Sequence, residues 1–251
     1  MKRILLSFVV MFVSIASVAA QGERRSNTFF EGMSTRDYNR IAVGYSPLKI
    51  NWQDRQDENF KQCPLTGSIS IGYVHGSNIV KSLPLFIEYG ATLQYSFGKS
   101  QSKTKYGSSA NYSVNTAKMF SVNVPVNVAL RLGFKSNKIT IMPYAGLNLR
   151  CNIAGNIKQF RGAVISNGFS ASGGSHTTTY RLLDSSDDKS AMGDKALKRF
   201  QLGINAGVGF TFGKFYVGAG YTADVTKIAN NADVDYIGSL GTMNISVGLS
   251  F

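Results

Sequence analysis

The stretch FQLGINAGVGFTFGKFYVGAGYTADV, residues 200–225, holds the key to the whole chain. Phe200, Leu202, Ile204, Ala206, Val208, Phe210 and Phe212 alternate with Gln201, Gly203, Asn205, Gly207, Gly209 and Thr211. Past Gly213-Lys214 the rhythm resumes, with Phe215, Val217, Ala219, Tyr221, Ala223 and Val225 set against Tyr216, Gly218, Gly220, Thr222 and Asp224. Neighbouring side chains of a strand point to opposite faces, so this period of two describes strands with one apolar and one polar face. Two such runs separated by two residues, glycine first, predict a β-hairpin.

The same rhythm spreads outward from there. Met243, Ile245, Val247, Leu249 and Phe251 alternate with Asn244, Ser246, Gly248 and Ser250. Five further strands fit less purely, over 40–47, 66–74, 85–97, 118–133 and 139–153, which brings the total to eight. Pro125 and Pro143 interrupt two of them, and a bulge is expected at each because proline donates no ladder bond. The links alternate in length. Those near 48–65, 98–117, 154–198 and 226–241 are long, whereas those at 75–84, 134–138 and 213–214 are short. Long outer loops over short periplasmic turns are the pattern of a transmembrane barrel. The expected fold is therefore all-β, an eight-stranded antiparallel transmembrane up-and-down β-barrel, with both ends of the barrel sequence on the periplasmic side. Aromatic girdles at the two headgroup levels are expected from Phe134, Phe212, Phe215 and Phe251 at one end, and from Tyr45, Tyr73, Tyr95 and Phe97 at the other.

One parity carries Glu88, Gln94, Asn123, Asn127, Arg131, Asn148, Arg150, Asn152, Gln201, Asn205 and Asp224, with many glycines among them. So many polar groups on one face predict a polar lumen with the apolar face toward lipid, the reverse of a soluble barrel. Eight strands enclose a space just wide enough for their own side chains. Opposite charges confined there should pair, since an isolated buried charge is costly. Glu88 with Arg131 near the periplasmic end, and Arg150 with Asp224 near the outer end, are the expected lumen charge pairs, and they predict a plugged interior.

The N-terminus points to export. Lys2 and Arg3 precede the apolar run 4–18, and Val18-Ala19-Ala20 offers small residues before Gln21-Gly22, the form of a cleavable signal peptide over 1–20. A periplasmic segment 21–39 and a barrel 40–251 then follow. No cysteine stands directly after the expected cleavage site, so a lipoprotein anchor is not expected. The chain has 251 residues with 27 Lys and Arg against 14 Asp and Glu, a net charge of +13. The basic residues are scattered over polar connections and lack a reading element, so nucleic acid is not the expected partner. Lipopolysaccharide phosphates and other outer-membrane lipids suit them better. Lys99, Lys103 and Lys105 form a short basic run for which a solvated face and contact with anionic headgroups are the two readings.

No cofactor, metal or catalytic group is expected. Cys63 and Cys151 have no metal spacing, and whether they pair is left open. His75 has no acid beside it in sequence. Ser175, His176 and the acids Asp184, Asp187 and Asp188 are the residue types of a hydrolase, but the Ser/Gly/Thr-rich stretch 166–180 reads as a mobile loop. The chain thus reads as non-enzymatic.

With its signal peptide, eight alternating strands and terminal 243–251 ending on an aromatic, the chain resembles small outer-membrane barrels of the OmpA and OmpX kind. The Tyr/Gly-rich stretches 69–73 and 217–221 resemble the PorT-like barrels of Bacteroidota. The resemblance implies that Phe251, Leu249 and Val247 form the terminal signal read by the barrel assembly machinery. It does not extend to a peptidoglycan-binding domain, so cell-wall anchoring is not implied. Fold alone does not give function. The expectation is a surface barrel whose long loops bind a ligand or partner protein or serve the envelope's structure, and the alternative is a small ion-conducting channel or porin.

Overall fold

The computed structural model describes residues 33–53, 65–106, 109–134, 138–166, 171–181, 183, 198–226 and 237–251. The expected signal segment 1–20, Cys63, Asp184, Asp187 and Asp188 lie outside the described residues. Ten strands form, and no helix does among the described residues: β1 Tyr38–Gln53, β2 Gly67–Asn78, β3 Leu85–Tyr106, β4 Ser109–Leu130, β5 Leu132–Phe134, β6 Ile139–Ser166, β7 Ala171–Arg181, β8 Phe200–Phe212, β9 Phe215–Asp224 and β10 Ile237–Ser250. Tyr38 and Asn39, expected in a periplasmic segment, open β1 instead.

Every pairing is antiparallel; most join neighbours in sequence, β4–β6 and β6–β8 each pass over one strand, and β1 pairs β10 to join the first and last strands. Following β4-β3-β2-β1-β10-β9-β8-β6 and returning through the β4–β6 pairing closes a ring of eight strands. β5 continues β4, and β7 is an outer partner of β6. A closed ring leaves no strand edge, the condition for placing a sheet in hydrocarbon.

The alternation decides which face is which. On β6, Leu147 and Leu149 are 50% and 53% exposed, whereas Asn148 and Arg150 are 6% and 3% exposed. Apolar residues therefore point out and polar ones in, around the whole ring. This is the arrangement of a transmembrane barrel. Phe134, Phe212, Phe215 and Phe251 are exposed at the end of the barrel that carries its short turns, while Tyr45, Tyr95 and Phe97 are exposed toward the opposite rim. Tyr73 departs from the expected girdle. β2 runs away from that rim, so Tyr73 reaches the short-turn end, where its hydroxyl donates to Asn39 Oδ1 at 2.6 Å.

The prolines do not make bulges. The β3–β4 ladder passes from Tyr89↔Val126 to Thr92↔Asn123, skipping Pro125 and resuming in the same register. At Pro143 the β4–β6 ladder ends with Ala129↔Tyr144 and resumes as β5 with Leu132↔Ile141, again unslipped. A missing N–H removes a rung but inserts no residue, so register is kept. The one shift in that ladder lies between Phe120 and Ser121, which pair with Ala154 and Asn152 and leave Ile153 as the extra residue. Beyond it the parity of β6 inverts, so the continuous β4 face meets even residues of β6 on one side of the bulge and odd ones on the other.

Two expected loops are strands, and two more are so in part, since β1 runs on through 48–53 and β10 begins at 237, these stretches pairing with each other. The link 98–117 is instead the continuation of β3 and β4, paired out to Tyr106↔Ser109. Residues 154–166 continue β6, and Ala171–Arg181 pairs with it as β7, which replaces the mobile loop expected there. β3, β4 and β6 hold 22, 22 and 28 residues, against the ~9–11 that cross a bilayer. Ten surplus residues reach roughly 33 Å. Periodicity does not reveal them because SQSKTK, 100–105, has polar residues on both parities and no apolar face to read.

The β8–β9 hairpin turns at Gly213, whose φ is 62° and whose N–H donates to Lys138 O at 2.9 Å. An L side chain pays roughly 1 kcal/mol or more in this region. Gly213→Ala should therefore lower stability by about 1 kcal/mol. The check is the shift of the urea midpoint for the barrel refolded in detergent, with no change expected in its folded electrophoretic mobility.

Candidate functional site

The lumen is organised in two layers. The first lies at the short-turn end. Arg40 on β1 and Glu88 on β3 meet there, Nη1 to Oε1 at 3.0 Å, with both side chains almost fully buried. The Tyr38 hydroxyl donates to the same Glu88 oxygen at 2.5 Å, and Asn127 Nδ2 donates to the other at 3.4 Å. The Arg40 guanidinium stacks over Tyr216 at 4.3 Å from the ring centre. Tyr38, Phe86, Met142 and Tyr216 pack together as an apolar floor, with Tyr38 and Phe86 edge-on at 5.2 Å.

Glu88 and Arg131 do not pair, contrary to expectation. Arg131 follows Leu130, the end of β4, opposite the gap at Pro143, and its guanidinium lies 5.1 Å from the Tyr38 ring. Arg40 takes its place because Tyr38↔Gly76 and Gly76↔Glu88 are rungs of the β1–β2 and β2–β3 ladders, which set Glu88 two strands from β1 on the lumen side. Arg40 shares the period-two parity of Ala42, Gly44 and Ser46, so its lumen position was readable. Tyr38 was missed because it was placed before the barrel.

The second layer crosses the lumen toward the extended end. Arg150 Nη1 donates to Asp224 Oδ2 at 2.8 Å and to Gln201 Oε1 at 3.4 Å, and its Nε donates to Asn123 Oδ1 at 3.0 Å. Asn123 Nδ2 donates to Gln94 Oε1 and Gln94 Nε2 to Ser68 Oγ, each at 2.7 Å. Ser68 Oγ donates to the Ser46 carbonyl at 3.3 Å, and Asn244 Nδ2 donates to Ser46 Oγ at 2.9 Å. This belt takes a residue from each of the eight ring strands. Connected polar groups in a low dielectric reinforce one another, so the belt ties the strands together across the lumen.

Between the layers lies a cavity of about 150 Å³, bounded among others by Arg40, Tyr144, Asn127, Asn205, Arg150 and Tyr216. Asn127 and Asn205 each carry a buried side-chain oxygen with no protein partner among the described residues. A polar space of this size has room for water, which can partner such atoms. The lumen glycines give the rings their room. A Cβ on Gly207 or Gly220 would run into the Tyr144 hydroxyl, and one on Gly209 or Gly218 into the Tyr216 ring.

The remaining sequence candidates stay apart from the lumen. His75 faces outward at the short-turn end, 2.8 Å from Asn39 Oδ1. Ser175 and His176 are consecutive on β7 and so point to opposite faces of the sheet. Cys151 is half-buried on β6 and makes no disulfide among the described residues. No cluster of metal-ligating groups occurs among the described residues.

A closed antiparallel ring, apolar outside and hydrogen-bonded inside, defines an eight-stranded transmembrane β-barrel. No protein-family model and no curated protein matches the chain. Among solved structures it is similar to the attachment invasion locus protein Ail of Yersinia pestis, at 13% identity and TM-score 0.35, over 86% of this chain and 99% of that one. It is likewise similar to Neisserial surface protein A, at 15% identity and TM-score 0.37, over 88% and 100%. The outer membrane protein OprG of Pseudomonas aeruginosa is similar at 8% identity and TM-score 0.33, over 87% and 97%.

Proposed function

We propose that this chain is a non-enzymatic barrel of the bacterial outer membrane, plugged within, that presents the β3–β4–β6–β7 extension to the outside as its working surface. The observation that carries the reading is the double closure of the lumen: the Arg40–Glu88 floor with its rings, and the belt centred on Arg150 and Asp224. An ion crossing the barrel must break both. The long paired strands at one end and short turns at the other support placing the extension outside and the termini in the periplasm. Export through the segment 1–20, recognition of Phe251, Leu249 and Val247 by the assembly machinery, and kinship with PorT-like barrels of Bacteroidota belong to the same proposal. They are supported by the terminal patterns and the Tyr/Gly-rich strands.

The cavity between the layers favours a second reading, a small channel whose two layers open. Planar-bilayer conductance of the refolded chain separates the readings. We expect silence from the parent, and rare ion-sized steps at most from a variant opened in both layers, Arg40→Ala, Glu88→Ala, Arg150→Ala, Asp224→Ala. Steady steps from the parent would put the channel first and remove the plug.

A further inference from the structure

We propose that the outward face of the β3–β4–β6 sheet, just beyond the aromatic rim, is a docking site for lipid-borne phosphate: the phosphorylated sugar headgroups of glycolipid in the outer leaflet. The inference rests on the reading above for which end is outside. Lys99 on β3 and Lys158 on β6 are both register partners of Thr116 on β4, so they flank it on either side. Lys118 is two residues along β4 from Thr116, on the same face and nearer the rim, paired with Phe97 and Asn156. Adjacent strands lie ~4.8 Å apart and alternate residues ~7 Å apart along a strand. The three lysine stems thus rise from a triangle about 10 Å across, within reach of one phosphorylated headgroup.

Three features make this more than a solvated face. All three lysines are exposed, and no salt bridge reaches them among the described residues. The only acid in β3, β4, β6 and β7 is Glu88, which is buried in the lumen, so the cluster has no counter-charge of its own on the sheet. Its height is set by the chain: on β3 the parity that carries Tyr95 and Phe97 at the rim carries Lys99 next. Aromatic rings settle at the headgroup level, which places the lysines beside leaflet phosphates rather than in bulk water. Like charges held this close repel, and an anionic headgroup relieves the repulsion.

The test uses the refolded full chain in detergent micelles, with purified bisphosphorylated lipid A as probe and native mass spectrometry as readout. The K99Q, K118Q, K158Q triple variant should bind about tenfold or more weakly than the parent, and more so at low salt. A control with the same change of net charge at the opposite end, K81Q, K138Q, K214Q, should stay within about twofold. Dephosphorylated lipid A should bind the parent no better than the triple variant, and millimolar inorganic phosphate should not displace the intact lipid. Equal loss in the control, equal binding of the dephosphorylated lipid, or displacement by free phosphate would each overturn the proposal. Should the triple variant not fold, the three single Lys→Gln variants replace it, each expected to weaken binding about two- to threefold; no effect from any of them overturns the site. Conductance from the parent sinks the plug and leaves this site standing, whereas lipid binding blind to the lysines does the reverse.

Discussion

Replacing Glu88 by alanine should destabilise the barrel by about 3–5 kcal/mol, the cost of leaving a buried charge without its partner. Arg40 is 6% exposed and Glu88 fully buried, so water does not take over from the carboxylate. The loss extends past one ion pair, because Tyr38 and Asn127 also donate to that carboxylate. In a mesophilic protein a change of this size is a large part of the whole stability. The apolar double variant Glu88→Leu, Arg40→Met should be less damaging than either single change, since it removes both charges and fills the same volume beside Phe86 and Tyr216. Urea titrations of the parent, Glu88→Ala, Glu88→Leu, Arg40→Met and the double variant, refolded in the same detergent, read the comparison directly. A Glu88→Ala midpoint within 1 kcal/mol of the parent would mean that the floor is hydrated, and the plug would lose its lower layer.

The second large effect is expected at the seam where the ring closes. A Cβ on Gly248 of β10 would stand inside the Ile41 carbonyl and against Ala42 Cα of β1. These are backbone atoms that no rotamer change can move. Gly90 and Gly146 stand in the same relation to Tyr73 with Val74 and to Val126 with Asn127. Strongly coiled strands approach most closely where a glycine lets them, and a side chain there must push the strands apart. Gly248→Ala should therefore cost about 3 kcal/mol or more, at the upper end of overpacking. It should also slow closure, because the β1–β10 pairing is the last possible in sequence order. Gly174→Ala is the internal control: nothing lies within 4 Å of its Cβ position. The folded fraction is read from the heat-dependent shift in electrophoretic mobility. Equal yields for the two variants would show that the seam can widen without penalty.

Legibility followed the strength of the local signal. Where one face meets lipid and the other the lumen, each residue's identity reports its own side: β8 and β9 are readable almost to the residue, and β10 from Met243 on. Asn148, Arg150, Gln201, Asn205 and Asp224 were assigned to the lumen by parity, and each is buried there. Beyond Phe97 the residues 100–105 are polar on both parities, so alternation carries nothing and does not distinguish strand from loop. The prolines misled for a related reason. A lost donor is visible in a sequence, but the ladder's tolerance of a skipped rung depends on neighbours that hold the register.

What the sequence by itself determined is therefore local and periodic: eight alternating runs, their antiparallel order through short and long links, and which face of each run is polar. What only the tertiary structure decided is who meets whom across the lumen. Glu88 lies 48 residues from Arg40 and Arg150 lies 74 from Asp224. These separations become contacts through two consecutive ladders each, β1–β2 with β2–β3 for the first and β6–β8 with β8–β9 for the second, once the curved sheet turns both side chains into the lumen. A one-residue slip in any ladder would turn a lumen residue toward lipid, and a bulge such as that at Ile153 inverts parity midway along a strand. Partner choice in a barrel is a property of the summed registers, and no single stretch of the chain carries it.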